Sequence, residues 1–176
     1  MKRIYAVVLV LIFVLSGSLM GCGREISNEV INIQKYKGLV VEDVTDSDSV
    51  WQALLEHCTV EEYPKEELEM LKEELDIQYG YIANKTAEQV IRENYDMTLD
   101  DFAKEQFKKQ YAITLIAEKE GLLVDDKAYE EELKKRAESN GFTDAQEYED
   151  MYGKEELSTM MLEERVLEFL IDNVKQ

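Results

Sequence analysis

Residues 98–121, TLDDFAKEQFKKQYAITLIAEKEG, form the stretch that decides the fold class of this chain. Thr98 can cap the start of a helix, and the two carboxylates that follow suit its positive end. Gly121 is the residue type that usually ends a helix. The apolar side chains between them recur at helical spacing. They are Phe102, Phe107, Tyr111, Leu115 and Ile116. The stretch therefore predicts one long amphipathic helix that ends near Glu120.

Similar helix signals occur on both sides of this stretch. A capping box of the form Thr-x-x-Gln occurs at Thr86 and again at Thr143. Asp46 or Ser47, Pro64, and Asp125 or Asp126 are further start signals. The first helix is expected to carry Val50, Trp51, Leu54, Leu55 and Cys58, the second to end near Ala83, and the last to carry residues from Leu157 to Ile171. The chain has one proline and few glycines, so we predict an all-α domain of six or seven helices.

The segment before these helices is less regular. Gly23 to Lys35 is polar with a weak pattern and is interpreted as a tether. Residues 36–41 are rich in β-type side chains and predict a short extended segment. No second strand is visible to pair with it, so we expect this segment to pack on the helices.

The N-terminus has the composition of a secretory signal. Lys2 and Arg3 precede an apolar run from Tyr5 to Leu15, which is short for a membrane span, and small residues follow. The sequence Leu19-Met-Gly-Cys22 resembles the lipobox of bacterial lipoproteins. That resemblance implies cleavage between Gly21 and Cys22 and a lipid on Cys22. It implies an extracytoplasmic protein anchored to the cell membrane, in a Gram-positive bacterium; an ordinary signal peptide or an uncleaved anchor is the alternative.

The predicted organisation is therefore a signal peptide at 1–21, a tether with the extended segment at 22–48, and a helical domain at 49–176. Without the signal the chain has 39 acidic and 18 basic side chains, a net charge of −21. Such a charge favours solubility and argues against nucleic acid as a partner. With Cys22 lipidated, Cys58 is the remaining cysteine, and we expect a buried, unreactive thiol.

The sequence contains no recognisable catalytic or cofactor-binding constellation. His57 is the single histidine, so the usual histidine-rich metal sites are excluded. Phosphate-binding glycine motifs are missing, and the paired carboxylates at helix starts are interpreted as capping groups. We therefore expect a protein that is not an enzyme and has no cofactor or metal.

Two stretches resemble the C-terminal chaperone domain of trigger factor. Residues 111–133 are similar to its long helix, joint and next helix, and residues 163–173 to its closing helix. Residues 51–55 and 62–64 resemble its opening helices. The resemblance covers most of residues 49–176 and implies an elongated, arm-like domain, also of the type found in SurA. The ribosome-binding and FKBP-type isomerase domains of the family have no counterpart here, so ribosome docking and isomerase activity are not implied.

What the resemblance implies is a helical surface that binds unfolded or nascent secreted polypeptides without ATP. Met and Tyr side chains suit such adaptable contacts. The candidate contact residues are Tyr63, Met70, Tyr81, Tyr95, Met97, Met151, Tyr152 and Met160. Tyr79 and Met161 have similar chemistry but are expected to lie in the core.

Two other functions remain open from the sequence. A structural or adaptor lipoprotein would use the same helices to hold one folded partner in the cell envelope. A prolyl isomerase would need a β-rich domain for which the chain has no room.

Overall fold

The structure, a computed structural model, describes residues 30–80 and 85–175. This part of the chain is mostly helical, which confirms the predicted all-α class. The elements are β1 (Asn32–Ile33), α1 (Ser47–Leu55), β2 (Cys58–Thr59), α2 (Lys65–Gly80), α3 (Ala87–Tyr95), α4 (Leu99–Glu120), α5 (Asp126–Ser139), α6 (Ala145–Tyr152) and α7 (Lys154–Asp172). None of the described helices has the length and apolar character to span a membrane.

Local signals set most of the helix ends. The Thr86 side chain accepts a hydrogen bond from the backbone of Gln89, whose side chain accepts one in return, so the capping box is confirmed. Thr98 caps α4, and Gly121 ends it in the left-handed conformation with φ of 69°. Asp125 caps α5. Each of these satisfies backbone groups that a helix end leaves unpaired.

One predicted cap is wrong. Thr143 does not form a capping box; Asp144 caps α6 with its own carboxylate, which accepts from the backbone N–H of Gln146. An aspartate next to the predicted threonine supplies the same acceptor one residue later. The predicted end of α2 near Ala83 lies outside the described residues; the helix is described to Gly80.

The buried apolar side chains form three separate clusters. The central core joins α1, the second half of α4 and the second half of α7. A second cluster joins α2, α3 and the first half of α4, and we call this part the α2–α3 lobe. A third cluster joins α5, α6 and the first half of α7, and we call this part the α5–α6 lobe. Each lobe has its own apolar interior.

Helices α4 and α7 connect the three clusters. In α4, Phe107 is buried in the α2–α3 lobe, whereas Ile116 is buried in the central core. In α7, Met161 is buried in the α5–α6 lobe and Val166 in the central core. Within the described residues, neither α2 nor α3 makes extensive contact with α5 or α6. The two lobes therefore contact the centre independently.

The described end of the predicted tether is part of the folded body. Ile31 is only 2% exposed and packs in the central core, and Val30 packs against the α2–α3 cluster. Strand β1 follows directly and pairs antiparallel with β2, with Ile33 opposite Cys58. The sequence analysis did not predict this strand pair, which lies outside residues 36–41. Two residues per strand leave almost no pattern in the sequence.

Cys58 is not on the first helix, contrary to the prediction. Helix α1 ends at Leu55, and Cys58 lies in β2. The thiol points inward all the same: Cys58 is 5% exposed, and its Sγ lies 3.4 Å from the carbonyl oxygen of Leu54. The expected buried thiol is confirmed, although the secondary structure around it was predicted wrongly.

The segment predicted as extended packs on the C-terminal helix. Residues 36–41 contain no strand, but Leu39 is 1% exposed and lies in the central core. The backbone N–H of Gly38 donates to the carbonyl of Asn173 at 2.6 Å, and that of Lys175 donates to the carbonyl of Leu39 at 2.8 Å. Gly38 has a φ of 64°, which glycine adopts without steric cost. As expected, this segment packs on the helices.

Candidate functional site

Four of the predicted contact residues belong to the α2–α3 lobe. Met70 on α2 and Tyr95 at the end of α3 are exposed, by 39% and 49%. Tyr63 and Met97 are half-buried against the apolar cluster of the lobe. The fifth residue of this region, Tyr81, lies outside the described residues. Met70 and Tyr95 are therefore the described candidates of this lobe with exposed side chains, and their contact with clients stays a prediction.

The aromatic members of this set are held by other rings. The Tyr63 ring meets the Phe107 ring edge-on at a centroid distance of 5.5 Å. Tyr95 packs on Phe102 at 4.8 Å, and Tyr79 contacts the same ring at 6.1 Å. Burial raises the pKa of the Tyr63 hydroxyl. Tyr63 therefore serves mainly to cover the lobe, whereas Tyr95 covers Phe102 with one face and remains half open to solvent.

The other three contact residues belong to the α5–α6 lobe. Met151 and Tyr152, at the end of α6, are exposed by 64% and 47%, and we call this pair the α6 surface. The Tyr152 ring packs on Tyr148 with centroids 4.7 Å apart. Met160 on α7 is half-buried. The candidates are therefore divided between two lobes.

Tyr79 and Met161, which were expected in the core, differ in burial. Met161 is fully buried in the α5–α6 lobe, as predicted. Tyr79 is half-buried and packs at the edge of the α2–α3 cluster.

An exposed apolar residue that the sequence analysis missed is Ile77 on α2, with 62% exposure. The sequence contains a signal for the exposure of Ile77. Leu68, Leu71 and Leu75 define the buried face of α2, and Ile77 falls outside their helical repeat. Ile77 is seven residues from Met70, so both lie on the same side of the helix. Val40 and Leu123, exposed by 75% and 53%, were also missed; they lie in the loops before α1 and before α5.

Glu74 lies between Met70 and Ile77 on this side of α2, and the three residues together are called the α2 surface. Its carboxylate is half-buried, and the Oε2 atom is buried without a hydrogen-bond partner in the described part of the chain. Burial raises the pKa of this carboxyl group above its usual value. A charged group that loses water without gaining a partner costs free energy.

The α2 surface is surrounded by negative charge. Exposed acidic side chains on the same helix are Glu66, Glu69, Glu73 and Asp76. Lys72, one of two lysines on α2, is already paired with Asp100 at 2.5 Å and with Glu69 at 2.9 Å. A cation that approaches Glu74 from outside would therefore meet no competing positive charge from Lys72.

A network of ion pairs fixes the α5–α6 lobe to α7. Arg136 on α5 pairs with Glu132 and with Glu164 of α7. Arg165 pairs with Glu132 at 3.3 Å and donates to the carbonyls of Leu122 and Leu123, both at 3.4 Å. Arg165 thus contacts the α4–α5 joint and α5 at once. This arrangement sets the position of the α6 surface relative to the rest of the molecule.

The predicted lipidation and cleavage residues, Cys22 and Gly21, lie outside the described residues. Among the residues that the structure does describe, no group of three or more His, Cys, Asp and Glu side chains is arranged to hold a metal ion. Cys58 is a free thiol.

Comparison of the chain with models of protein families, with curated proteins and with solved structures finds no match.

Proposed function

We propose that this protein is a lipid-anchored chaperone-like protein on the extracytoplasmic face of the cell membrane, where it binds unfolded or nascent secreted polypeptides. Binding requires neither ATP nor a cofactor, and neither the ribosome nor nucleic acid is a partner. The proposal extends the resemblance of residues 111–133 and 163–173 to the chaperone domain of trigger factor. The lipobox-like residues Leu19 to Cys22 give the location.

The observation that carries the proposal is the exposure of large apolar side chains on two separate lobes. Met70, Ile77 and Tyr95 are exposed on one lobe, and Met151 and Tyr152 on the other. Each group is mounted on a lobe with its own packed interior, so the exposed side chains are held on a stable support. Two separated apolar surfaces suit an unfolded chain, which can contact both at once and gain affinity from the linkage.

The test is suppression of aggregation of a reduced, unfolding client by residues 22–176 with Cys22→Ser. We expect suppression at near-stoichiometric ratio. The double variant Met151→Ser/Tyr152→Ser should lose most of it, because it removes one of the two apolar surfaces. Val40→Ser is the control: it removes an apolar side chain that is more exposed than either of these but lies outside both lobes, and it should leave suppression unchanged.

Failure of the unmodified protein to bind or protect unfolded chains would exclude the proposal. Recovery of one folded envelope protein in a stoichiometric complex, together with that failure, would identify the adaptor function instead. Catalysis of proline isomerisation above background would identify an isomerase.

The proposed lipid anchor at the cell membrane can be tested separately. Globomycin, which inhibits the lipoprotein signal peptidase, should cause the unprocessed precursor to accumulate, and Cys22→Ala should abolish labelling by a fatty acid. Processing that is unaffected by globomycin would rule out the lipid anchor but would leave the chaperone proposal standing.

A further inference from the structure

Glu74 carries a further inference because one of its carboxylate oxygens has no partner in the part of the chain that the structure describes. Its Oε2 atom is buried and forms no hydrogen bond with any described residue. Two other carboxylates of this lobe are paired: Asp100 with Lys72 and Lys104, and Glu88 with Arg92. Burial without a partner is unfavourable for a carboxylate, so Glu74 does not stabilise the free protein.

The side chains around Glu74 define what could pair with it. Met70 lies four residues before Glu74 and Ile77 three residues after it, so an exposed apolar side chain is present on each side along the helix. At 1.5 Å per residue, Met70 and Ile77 are separated by about 10 Å along the axis. A complementary segment has a cation at its centre and a bulky apolar side chain on each side.

Charge decides between the possible occupants of the α2 surface. Helix α2 has six acidic side chains and two lysines, Lys65 and Lys72. A second copy of the protein packed antiparallel on the same surface would bring one Glu74 close to the other, which is unfavourable. A lipid surface with anionic headgroups is repelled by the same charges.

We propose that the α2 surface recognises a polypeptide segment in which a Lys or Arg lies between two bulky apolar residues, and that Glu74 determines this specificity. The inference rests on the proposed function and assigns one class of client sequence to the α2–α3 lobe. The apolar side chains contact Met70 and Ile77, and the cation forms a charge-assisted hydrogen bond with Glu74. Pairing with the cation offsets the desolvation of the carboxylate.

The experiment compares two labelled peptides that differ at one position, Leu-Phe-Arg-Leu-Phe and Leu-Phe-Gln-Leu-Phe, each flanked by Gly and Ser. We expect the mature protein to bind the Arg peptide about tenfold more tightly than the Gln peptide, as a charge-assisted hydrogen bond predicts. Glu74→Gln should abolish this preference while retaining affinity for the Gln peptide. Ile77→Ser should weaken binding of both peptides.

Glu73→Gln is the matched control. It removes the same charge from the neighbouring, exposed position. It should leave most of the preference for the Arg peptide intact. An equal loss of preference in Glu73→Gln would overturn the inference, because the preference would then come from the overall negative field and not from Glu74.

The stability of the free variant provides a second readout. Glu74→Gln should unfold at the same urea concentration as the unmodified protein or at a higher one, because the substitution removes no hydrogen bond to Oε2 among the residues that the structure describes. A clear decrease would mean that Glu74 has a structural role and would overturn the inference.

The remaining outcomes separate this inference from the proposed function. A protein that suppresses aggregation but shows no preference for the Arg peptide contradicts only the role of Glu74. A protein that binds neither peptide and no unfolded client contradicts both. Dimerisation that Ile77→Ser abolishes would show that a second copy occupies the α2 surface.

Discussion

Cys58 shows how burial controls the chemistry of a side chain. The thiol lies in the central core, and burial raises its pKa to about 11, although Lys108 partly opposes this shift. The thiolate is the reactive form, so its fraction determines the rate of reaction with a disulfide reagent. At pH 8 about one in a thousand folded thiols is ionised, against about a quarter of unfolded ones.

We therefore expect the thiol of Cys58 to react with a disulfide reagent at pH 8 more than about a hundredfold more slowly in the folded protein than in urea. The measurement uses a Cys22→Ser protein without the signal, so that Cys58 is the single thiol. The folded rate should continue to rise with pH up to about 11, whereas the unfolded rate should level off near pH 9. Equal rates at pH 8 would mean that the thiol is accessible.

At the scale of elements, the Arg165 side chain holds the α5–α6 lobe in place. It contacts two carbonyls of the α4–α5 joint and the carboxylate of Glu132. Arg165→Met keeps the length of the side chain and removes these hydrogen bonds. We expect a loss of about 1 kcal/mol in unfolding free energy, since the group is partly exposed.

A more specific prediction concerns which part of the molecule loses stability in Arg165→Met. Amide hydrogen exchange should become faster in α5 and α6 and stay unchanged in α2 and α3, because the lobes have separate interiors. Arg92→Met is the control: it removes a more exposed arginine that pairs with Glu88 on the same helix. Faster exchange throughout the protein in Arg165→Met would contradict the independence of the lobes.

The sequence predicted the helices well because their ends depend on local chemistry. The caps at Thr86, Thr98 and Asp125 each involve residues within one turn. Pairing of β1 with β2 joins residues about 25 positions apart through two residues on each side, and such pairing has no local signal. Cys58 continues the four-residue repeat of Val50 and Leu54, so the sequence predicts it on α1, but the helix has already ended at Leu55.

The candidate contact residues were predictable by type but not by exposure. Met151 and Met161 have the same side chain on neighbouring helices, yet one is 64% exposed and the other fully buried. Which of them is covered depends on how α5 packs on α6 and α7, and sequence periodicity does not specify that packing. Ile77 lies on the side of α2 opposite Leu68, Leu71 and Leu75, where an apolar side chain does not contribute to the pattern that predicts the helix.

At the scale of the whole molecule, residues 30–41 belong to the folded body. Leu39 is 1% exposed, and the Gly38 N–H and the Leu39 carbonyl are hydrogen-bonded to the backbone just after α7. Leu39→Ala should therefore cost about 3 kcal/mol in unfolding free energy, as for other large-to-small substitutions in cores.

Val40→Ala is a control one residue away, at a position that is 75% exposed, and should cost less than about 0.5 kcal/mol. Urea unfolding of both variants gives the comparison. Equal midpoints would show that this segment is only loosely attached to the helices.

Burial of Ile31 also limits how far the protein can reach. About eight residues connect the proposed lipid on Cys22 to the first packed residues, and even fully extended they span no more than about 28 Å. That distance is similar to the roughly 30 Å thickness of the hydrocarbon layer itself. An acyl group at Cys22 would confine the helical body to a thin zone above the bilayer, in which it encounters newly exported chains at a much higher local concentration than a freely diffusing protein would.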